Sequence, residues 1–233
     1  MLTVIIPTLN DEERLALTLA ALIPAAAEGM VREVVIVDGG STDGTRRVAD
    51  AAGCVIVEAH GPLGARLKRG GDVAFRGDWL LFLRPGSVLE HRWETEVGTF
   101  MERAARSGRA DTVAAVFSYA VDEVGPGARL RESIVRLLSA ITRIPHAGQG
   151  LMLSKTFYRR LGGYHALPAM EDVDLLRRIG RFRLYRLRST SAQYTPAADL
   201  PERVPLVRRI RRGLSLALAA LAVPPRYLVR LHG

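Results

Sequence analysis

Three short polar segments carry residue types that could hold a ligand. They are Pro7-Thr8-Leu9-Asn10-Asp11-Glu12, Asp38-Gly39-Gly40-Ser41-Thr42-Asp43-Gly44-Thr45 and Arg84-Pro85-Gly86-Ser87. Each follows an apolar run that reads as a buried strand, and in a parallel α/β sheet ligands bind beyond the carboxyl ends of the strands. Asp38 is an acceptor-only group suited to a ribose hydroxyl or a base N–H. Gly39 and Gly40 let the backbone approach a ligand closely, and Ser41 or Asp43 can cap a following helix. Taken alone, the string also reads as a capped strand-to-helix turn with no ligand. A late acidic pair, Glu171-Asp172, opens the stretch Val173–Ile179; by itself it is an acidic first turn of a helix. Neither G-x-G-x-x-G nor G-x-x-x-x-G-K-[ST] occurs, so the dinucleotide fingerprint and the P-loop are both missing.

The elements that must position these residues follow from hydrophobic periodicity. Thr3–Pro7, Glu33–Asp38, Val55–Val57 and Trp79–Leu83 read as strands. Between them Asp11–Ile23, with Thr8 or Asn10 as cap, Gly44–Ala52 and Arg66–Phe75 read as helices, the last despite Gly70-Gly71. This alternation, with strands apolar throughout, predicts a parallel sheet covered on both faces. Further on, Trp93–Ser107, Leu130–Thr142 and Glu171–Ile179 read as helices, and Thr112–Tyr119, Gly150–Leu153 and Arg183–Leu187 as strands, with a turn at Gly125-Pro126-Gly127. Trp79 and Trp93 are expected to pack, and His146 and His165 to make ordinary hydrogen bonds.

Composition bounds the chemistry. The 233 residues suffice for one large domain. The single cysteine, Cys54, excludes an internal disulfide scaffold and a multi-cysteine zinc site. No H-x-x-x-H pair occurs, which excludes a zinc protease of that type. The net charge is +9, and of 33 basic residues only Lys68 and Lys155 are lysines. Such a balance suggests an anionic partner. Charge concentrates at the end, where residues 201–233 hold seven arginines against the single Glu202. No leader segment is evident, and the apolar run Leu214–Val223 is ten residues, too short to span a bilayer.

Taken together, the motifs resemble the family 2 glycosyltransferases of GT-A fold. The matching strings are T-V-I-I-P-T-L-N-D-E at Thr3–Glu12 and V-V-I-V-D-G-G-S-T-D-G-T at Val34–Thr45. Later come Gly148-Gln149-Gly150, F-Y-R-R-L-G-G-Y at Phe157–Tyr164 and M-E-D-V-D-L-L-R-R-I at Met170–Ile179. The likeness runs to about residue 190 and is greatest to a small bacterial subgroup with a late M-E-D-V. It implies a single Rossmann-like α/β domain over 1–200, with a mainly parallel sheet flanked by helices, while residues 201–233 read from their own pattern as a basic, then apolar, helical tail. It implies transfer of a sugar from a nucleoside-diphosphate sugar to an acceptor hydroxyl, with inversion. Pro7, Thr8, Asn10, Glu12, Asp38, Gly39, Gly40 and Arg66 would line the nucleotide. Asp172, beside Glu171, would be the general base, and a carboxylate at a helix start suits that task. Gln149 and Gly150 would lie on the acceptor side.

One departure stands out. The family's divalent cation, manganese or magnesium, is held by an acidic motif after the fourth strand, but here the chain reads Leu83-Arg84-Pro85-Gly86. Hard cations need oxygen ligands, normally carboxylates. Either Arg84 meets the diphosphate itself, an apt partner for phosphate, or it pairs with Glu171 or Asp172 and the chain is a nucleotide-sugar binding module with little or no catalysis. Glu90 is a remote acidic substitute. A sugar nucleotidyltransferase ranks below both, since Thr8-Leu9-Asn10 replaces the Gly-rich loop expected after its first strand. The expected partners are the donor and a sugar or lipid-linked acceptor. No nucleic-acid motif accompanies the charge. A cytoplasmic location is expected, with the tail attaching to the inner face of the anionic membrane or packing on the domain.

Overall fold

The computed structural model describes residues 1–120 and 147–194. The elements in order are β1 (Leu2–Thr8), α1 (Glu12–Ala27), β2 (Val31–Asp38), α2 (Thr45–Ala51), β3 (Val55–Glu58), α3 (Leu63–Val73) and β4 (Trp79–Phe82). Then come β5 (Ser87–Leu89), α4 (Trp93–Arg106), β6 (Ala114–Ala120), a 3-10 turn (Ala147–Gln149), β7 (Leu151–Ser154), α5 (Lys155–Arg160), α6 (Glu171–Ile179) and β8 (Leu184–Gln193). The turn expected at 125–127, the helix expected at 130–142, His146 and the tail lie outside the described residues.

The strands form one sheet in the order β3-β2-β1-β4-β7-β6-β8-β5. The first four are parallel. β7 runs antiparallel to β4 and to β6, β8 is parallel to β6, and β5 closes the far edge antiparallel to β8. The sheet is therefore mixed in its second half. Side chains along β1 alternate between two cores, as a pleat requires. Val4 and Ile6 join Leu15, Leu22, Trp93 and Val97 of α1 and α4 on one face. Ile5 joins Val37, Leu67, Tyr158 and Leu175 on the other. Both tryptophans pack: Trp79 lies edge-on to Phe100 at 5.8 Å and Trp93 edge-on to Phe117 at 6.0 Å.

The local expectations hold for most elements, with physical reasons for the differences. α1 runs through Pro24 to Ala27. Its N-cap is Asp11, without a side-chain cap bond, and not Thr8 or Asn10. Thr8 is still in β1, and Asn10 sits at φ 55° in the loop. In α3, Gly70 and Gly71 allow the helix to lie close to the sheet. A Cβ at Gly70 would run into Ile5 Cγ2 and stand 2.9 Å from Val37 Cγ2. One at Gly71 would come within 2.6 Å of the Tyr158 ring. Glycine costs a helix roughly 0.5–1 kcal/mol per residue, and here that cost is offset by close packing.

Candidate active site

The loops after β1 and β2 are laced together by polar side chains. Asp38 is fully buried at the end of β2. Its Oδ1 accepts from Thr8 Oγ1 at 3.3 Å and from the Ser41 hydroxyl, and its Oδ2 from the amides of Ser41 (3.0 Å) and Gly40 (3.3 Å). Burial by itself would raise its pKa, but the bonds from Ser41, Gly40 and Thr8 outweigh that and hold the carboxyl below its ordinary value. With every acceptor turned inward, Asp38 organises the loop and presents no accessible surface to a ligand. Asn10 Oδ1 accepts from the Thr42 amide at 2.8 Å, and Asn10 N donates to Ser41 Oγ at 2.9 Å. Glu12 accepts from the Gly44 amide at 3.0 Å and from Arg47 at 3.0 Å. Asp43, not Ser41, accepts from the Thr45 amide at 3.0 Å as α2 begins. Pro7 and Thr8 are buried in β1, whereas Gly39 and Gly40 are partly exposed.

Arg66, on the first turns of α3, reaches across these loops and donates from Nη1 to the Thr8 carbonyl at 2.9 Å. A Cβ at Gly39 would stand 2.9 Å from that same nitrogen, so glycine is what leaves room for the guanidinium. Arg66 Nε is buried and has no acceptor. Burial lowers the pKa of Arg66, Arg84 lowers it further, and Asp11 and Asp38 pull the other way. Exposed His60, which no sequence pattern singled out, stands with Nδ1 3.2 Å from the Gly39 carbonyl, to which it donates in the tautomer protonated at Nδ1.

Arg84 follows β4 directly. Its Nη2 donates to Glu171 Oε1 at 2.8 Å and to Asp172 Oδ2 at 2.6 Å, both on the first turn of α6. The other oxygen of Asp172 accepts from the Tyr164 hydroxyl at 3.0 Å. Burial disfavours the charge on Arg84, but Asp172 and Glu171 more than reverse this and raise its pKa. Burial and the Asp172 charge likewise push the Tyr164 phenol well up, so Tyr164 is a donor, not an anion, at neutral pH. Tyr164 is fixed from behind, its amide donating to Tyr158 Oη at 3.1 Å. Arg178 holds the preceding glycines by donating to the carbonyls of Leu161 and Gly163 while pairing with Asp174. His165 also meets Asp174, at 2.9 Å.

Arg84, Asp172 and Tyr164 line one small cleft with Leu67, Leu83 and Gly150, with free volume of about 20 Å³, roughly one water. The structure thus brings together the start of α6, the end of β4 and, through Leu67, α3. Gly150 lies in this cleft. Gln149 does not open into it, being 1% exposed with its amide donating to the Phe117 carbonyl at 2.9 Å. Glu90 is elsewhere, accepting from Thr190.

The side chains present do not suit a divalent cation. Among the described residues no group of three or more His, Cys, Asp or Glu could hold one. The two carboxylates nearest the end of β4 already share a guanidinium. No described helix is long and apolar enough to cross a membrane.

An eight-stranded mixed sheet with polar loops at the ends of β1, β2 and β4 is the GT-A architecture of glycosyltransferases. Residues 3–83 match the family model Glycosyl transferase family 2. The resemblance read from the motifs at Thr3–Glu12 and Val34–Thr45 is thereby borne out, and with it the enzyme class, a glycosyltransferase. The match ends one residue before Arg84. No curated protein matches the chain. Among solved structures it is similar to glucosyl-3-phosphoglycerate synthase from Mycobacterium tuberculosis. The complex of that enzyme with Mn2+, uridine diphosphate and glucosyl-3-phosphoglycerate gives a TM-score of 0.63 at 19% identity, covering 96% of this chain and 81% of that one. Its complex with Mn2+, UDP-glucose and phosphoglyceric acid gives 0.62 at 20%, covering 96% and 80%. The form with Mg2+ and uridine diphosphate also gives 0.62 at 20%, covering 96% and 80%. At this identity the likeness establishes the shared fold.

Proposed function

We propose that the protein transfers a sugar from a nucleoside-diphosphate sugar to an acceptor hydroxyl, with inversion at the anomeric carbon. The observation that carries this is the meeting of Asp172 and Arg84 in one cleft at the end of β4, with the loop-bound Arg66 near enough to Arg84 to feel its charge. The loops after β1 and β2 would hold the nucleotide, with Gly39, Gly40 and Arg66 nearest to it and Asp38 shaping them. Asp172 would accept the proton of the acceptor hydroxyl as its oxygen bonds to the anomeric carbon. The bond from that carbon to the diphosphate breaks, and the electron pair leaves with the nucleoside diphosphate. General-base help of this kind contributes about 10²–10⁴-fold. The nucleotide-sugar complexes of the structural neighbours support the donor class. A sugar or lipid-linked hydroxyl compound is the acceptor in this reading.

A second reading, a nucleotide-sugar binding module without turnover, is favoured by one feature: each oxygen of Asp172 already accepts a hydrogen bond. Thermal shift and turnover across a panel of nucleoside-diphosphate sugars separate the two. Stabilisation with release of nucleoside diphosphate on adding acceptor supports transfer; stabilisation without release, over a broad acceptor panel, supports binding alone. No stabilisation by any donor overturns both.

A further inference from the structure

We propose that Arg84 is a built-in cation for the donor diphosphate, doing without a metal ion what a divalent cation would do, and that its withdrawal from Asp172 is what frees the base. This rests on the donor class proposed above. Four observations on this chain's own residues carry it.

Arg84 spends one nitrogen on both carboxylates. Nη2 serves Glu171 and Asp172 together, while Nη1 and Nε donate to no described residue. Those two nitrogens keep N–H donors available on a residue that lines the cleft. Each can donate to a phosphate oxygen, and a guanidinium drawn off the carboxylates would offer a two-N–H edge that includes Nη2.

Arg66 is the second cation of the place. It forms no ion pair with a carboxylate among the described residues; its one bond goes to a carbonyl, and its buried Nε–H has no acceptor. An orphaned buried donor is uncommon and calls for a partner. The two guanidiniums are near enough for Arg84 to lower the pKa of Arg66. Like charges so placed favour an anion between them and disfavour a metal ion.

The two guanidiniums also bear on the charge of the leaving group: Arg84 is offset by Glu171 and Asp172, and Arg66 feels Asp11 and Asp38 without bonding to either. A departing nucleoside diphosphate gains negative charge as the glycosidic bond breaks, and a fixed cation at its oxygens lowers that barrier.

Coupling follows from the shared guanidinium. At rest Asp172 Oδ2 is held by Arg84 and Oδ1 by Tyr164. A diphosphate that draws Arg84 toward itself leaves Oδ2 open to the acceptor hydroxyl. The base is thus released only when the donor is in place, so donor binds before acceptor.

The test uses the full-length protein and titrates inorganic pyrophosphate and the diphosphates of uridine, guanosine, adenosine and cytidine by calorimetry. Each titration is run once with EDTA and once with manganese. The wild type is expected to bind its preferred probe equally well in both, within about twofold. Arg84→Met is expected to weaken it by about 30-fold, the value of a charge-assisted phosphate contact, with Arg84→Lys in between. Because Arg84→Met leaves two carboxylates unpaired, its folding is checked by circular dichroism. The double variant Arg84→Met/Asp172→Asn, with less stranded charge, is expected to show the same loss. Asp172→Asn alone is expected to bind pyrophosphate about threefold to tenfold tighter, since it loosens the hold on Arg84; a purely structural Arg84 would show no such gain. Tight binding only with manganese, or full affinity in the double variant, overturns the built-in cation. Unchanged or weaker binding in Asp172→Asn overturns the coupling. Pyrophosphate binding with no nucleotide bound would instead overturn the donor class and leave the anion site standing. No probe bound at all overturns both.

Discussion

Asp38 gives the sharpest test of how the nucleotide loops are built. It is fully buried, and its two oxygens take four hydrogen bonds, two from backbone amides and two from hydroxyls. In Asp38→Asn the amide oxygen can face the fixed N–H groups of Gly40 and Ser41. The amide NH₂ then faces Thr8 and Ser41, whose hydroxyls can turn to accept. Asparagine thus keeps the geometry and loses only the charge, a cost of about 1–2 kcal/mol given the gap between charged and neutral hydrogen bonds. Asp38→Ala strands all four donors and is expected to cost about 3 kcal/mol, with donor affinity falling first because the Gly39-Gly40 loop loosens. The pH dependence has a definite sign. Because the folded-state pKa of Asp38 is depressed, its contribution is complete above the unfolded value of about 3.9 and is lost as pH falls through the folded one. Urea unfolding of the wild type and both variants, followed by circular dichroism from neutral pH down to about pH 3, reads both effects. The advantage of wild type over Asp38→Asn should shrink at the acid end. An alanine variant within about 1 kcal/mol of wild type, or an asparagine difference independent of pH, would refute the reasoning.

Other outcomes follow from the same structure. Asp172→Asn is expected to retain donor binding and lose transfer by about 10²–10⁴-fold on a verified acceptor; an unchanged rate removes Asp172 from the mechanism. Burial pushes the Cys54 thiol up to about 11 from 9.0. Alkylation in the folded protein at mildly alkaline pH should therefore run about 100-fold slower than for an ordinary thiol, and equal rates in folded and urea-unfolded protein would contradict this. For the tail, replacing Arg208, Arg209, Arg211 and Arg212 by glutamine should reduce flotation with anionic vesicles, each arginine contributing about 1 kcal/mol near the surface. Flotation unchanged by that replacement would count against membrane attachment.

Much of this architecture could be read from residue pattern. The runs at Thr3–Pro7 and Val35–Val37 are buried on both faces, so their apolar character is unbroken and their ends are marked by polar turns. The helix at Glu171–Ile179 was legible to the residue, because its apolar positions recur at helical spacing and Gly180 ends it. Weaker patterns were lost. β5 is three residues beside Gly86 and exists only because β8 pairs with it. α5 is six residues inside a string that reads as a motif but has too few turns to show periodicity. β8 runs six residues beyond the expected Leu187, because polar side chains are tolerated near the sheet edge. At the site, Arg84 marked itself by standing where acids were expected, yet its choice of partner depends on residues 87 and 88 positions away. Spacing carries no such information. The inward turn of Asp38 and Gln149 likewise depends on neighbours brought by the fold.

The glycine pair of α3 has an effect beyond packing. Gly70 lies four residues after Arg66, hence on the same side of the helix, and the absence of a side chain there sets how near α3 sits to β1 and β2. That spacing in turn fixes the reach of Arg66 to the Thr8 carbonyl. A single methyl group at residue 70 would act as a shim, lifting the helix and carrying a positive charge away from the loops with it. The placement of charge in the site is thereby tied to an inert position one helical turn distant. Substitutions in this apolar seam would act as a vernier on ligand affinity without altering the chemical identity of any polar residue of the site.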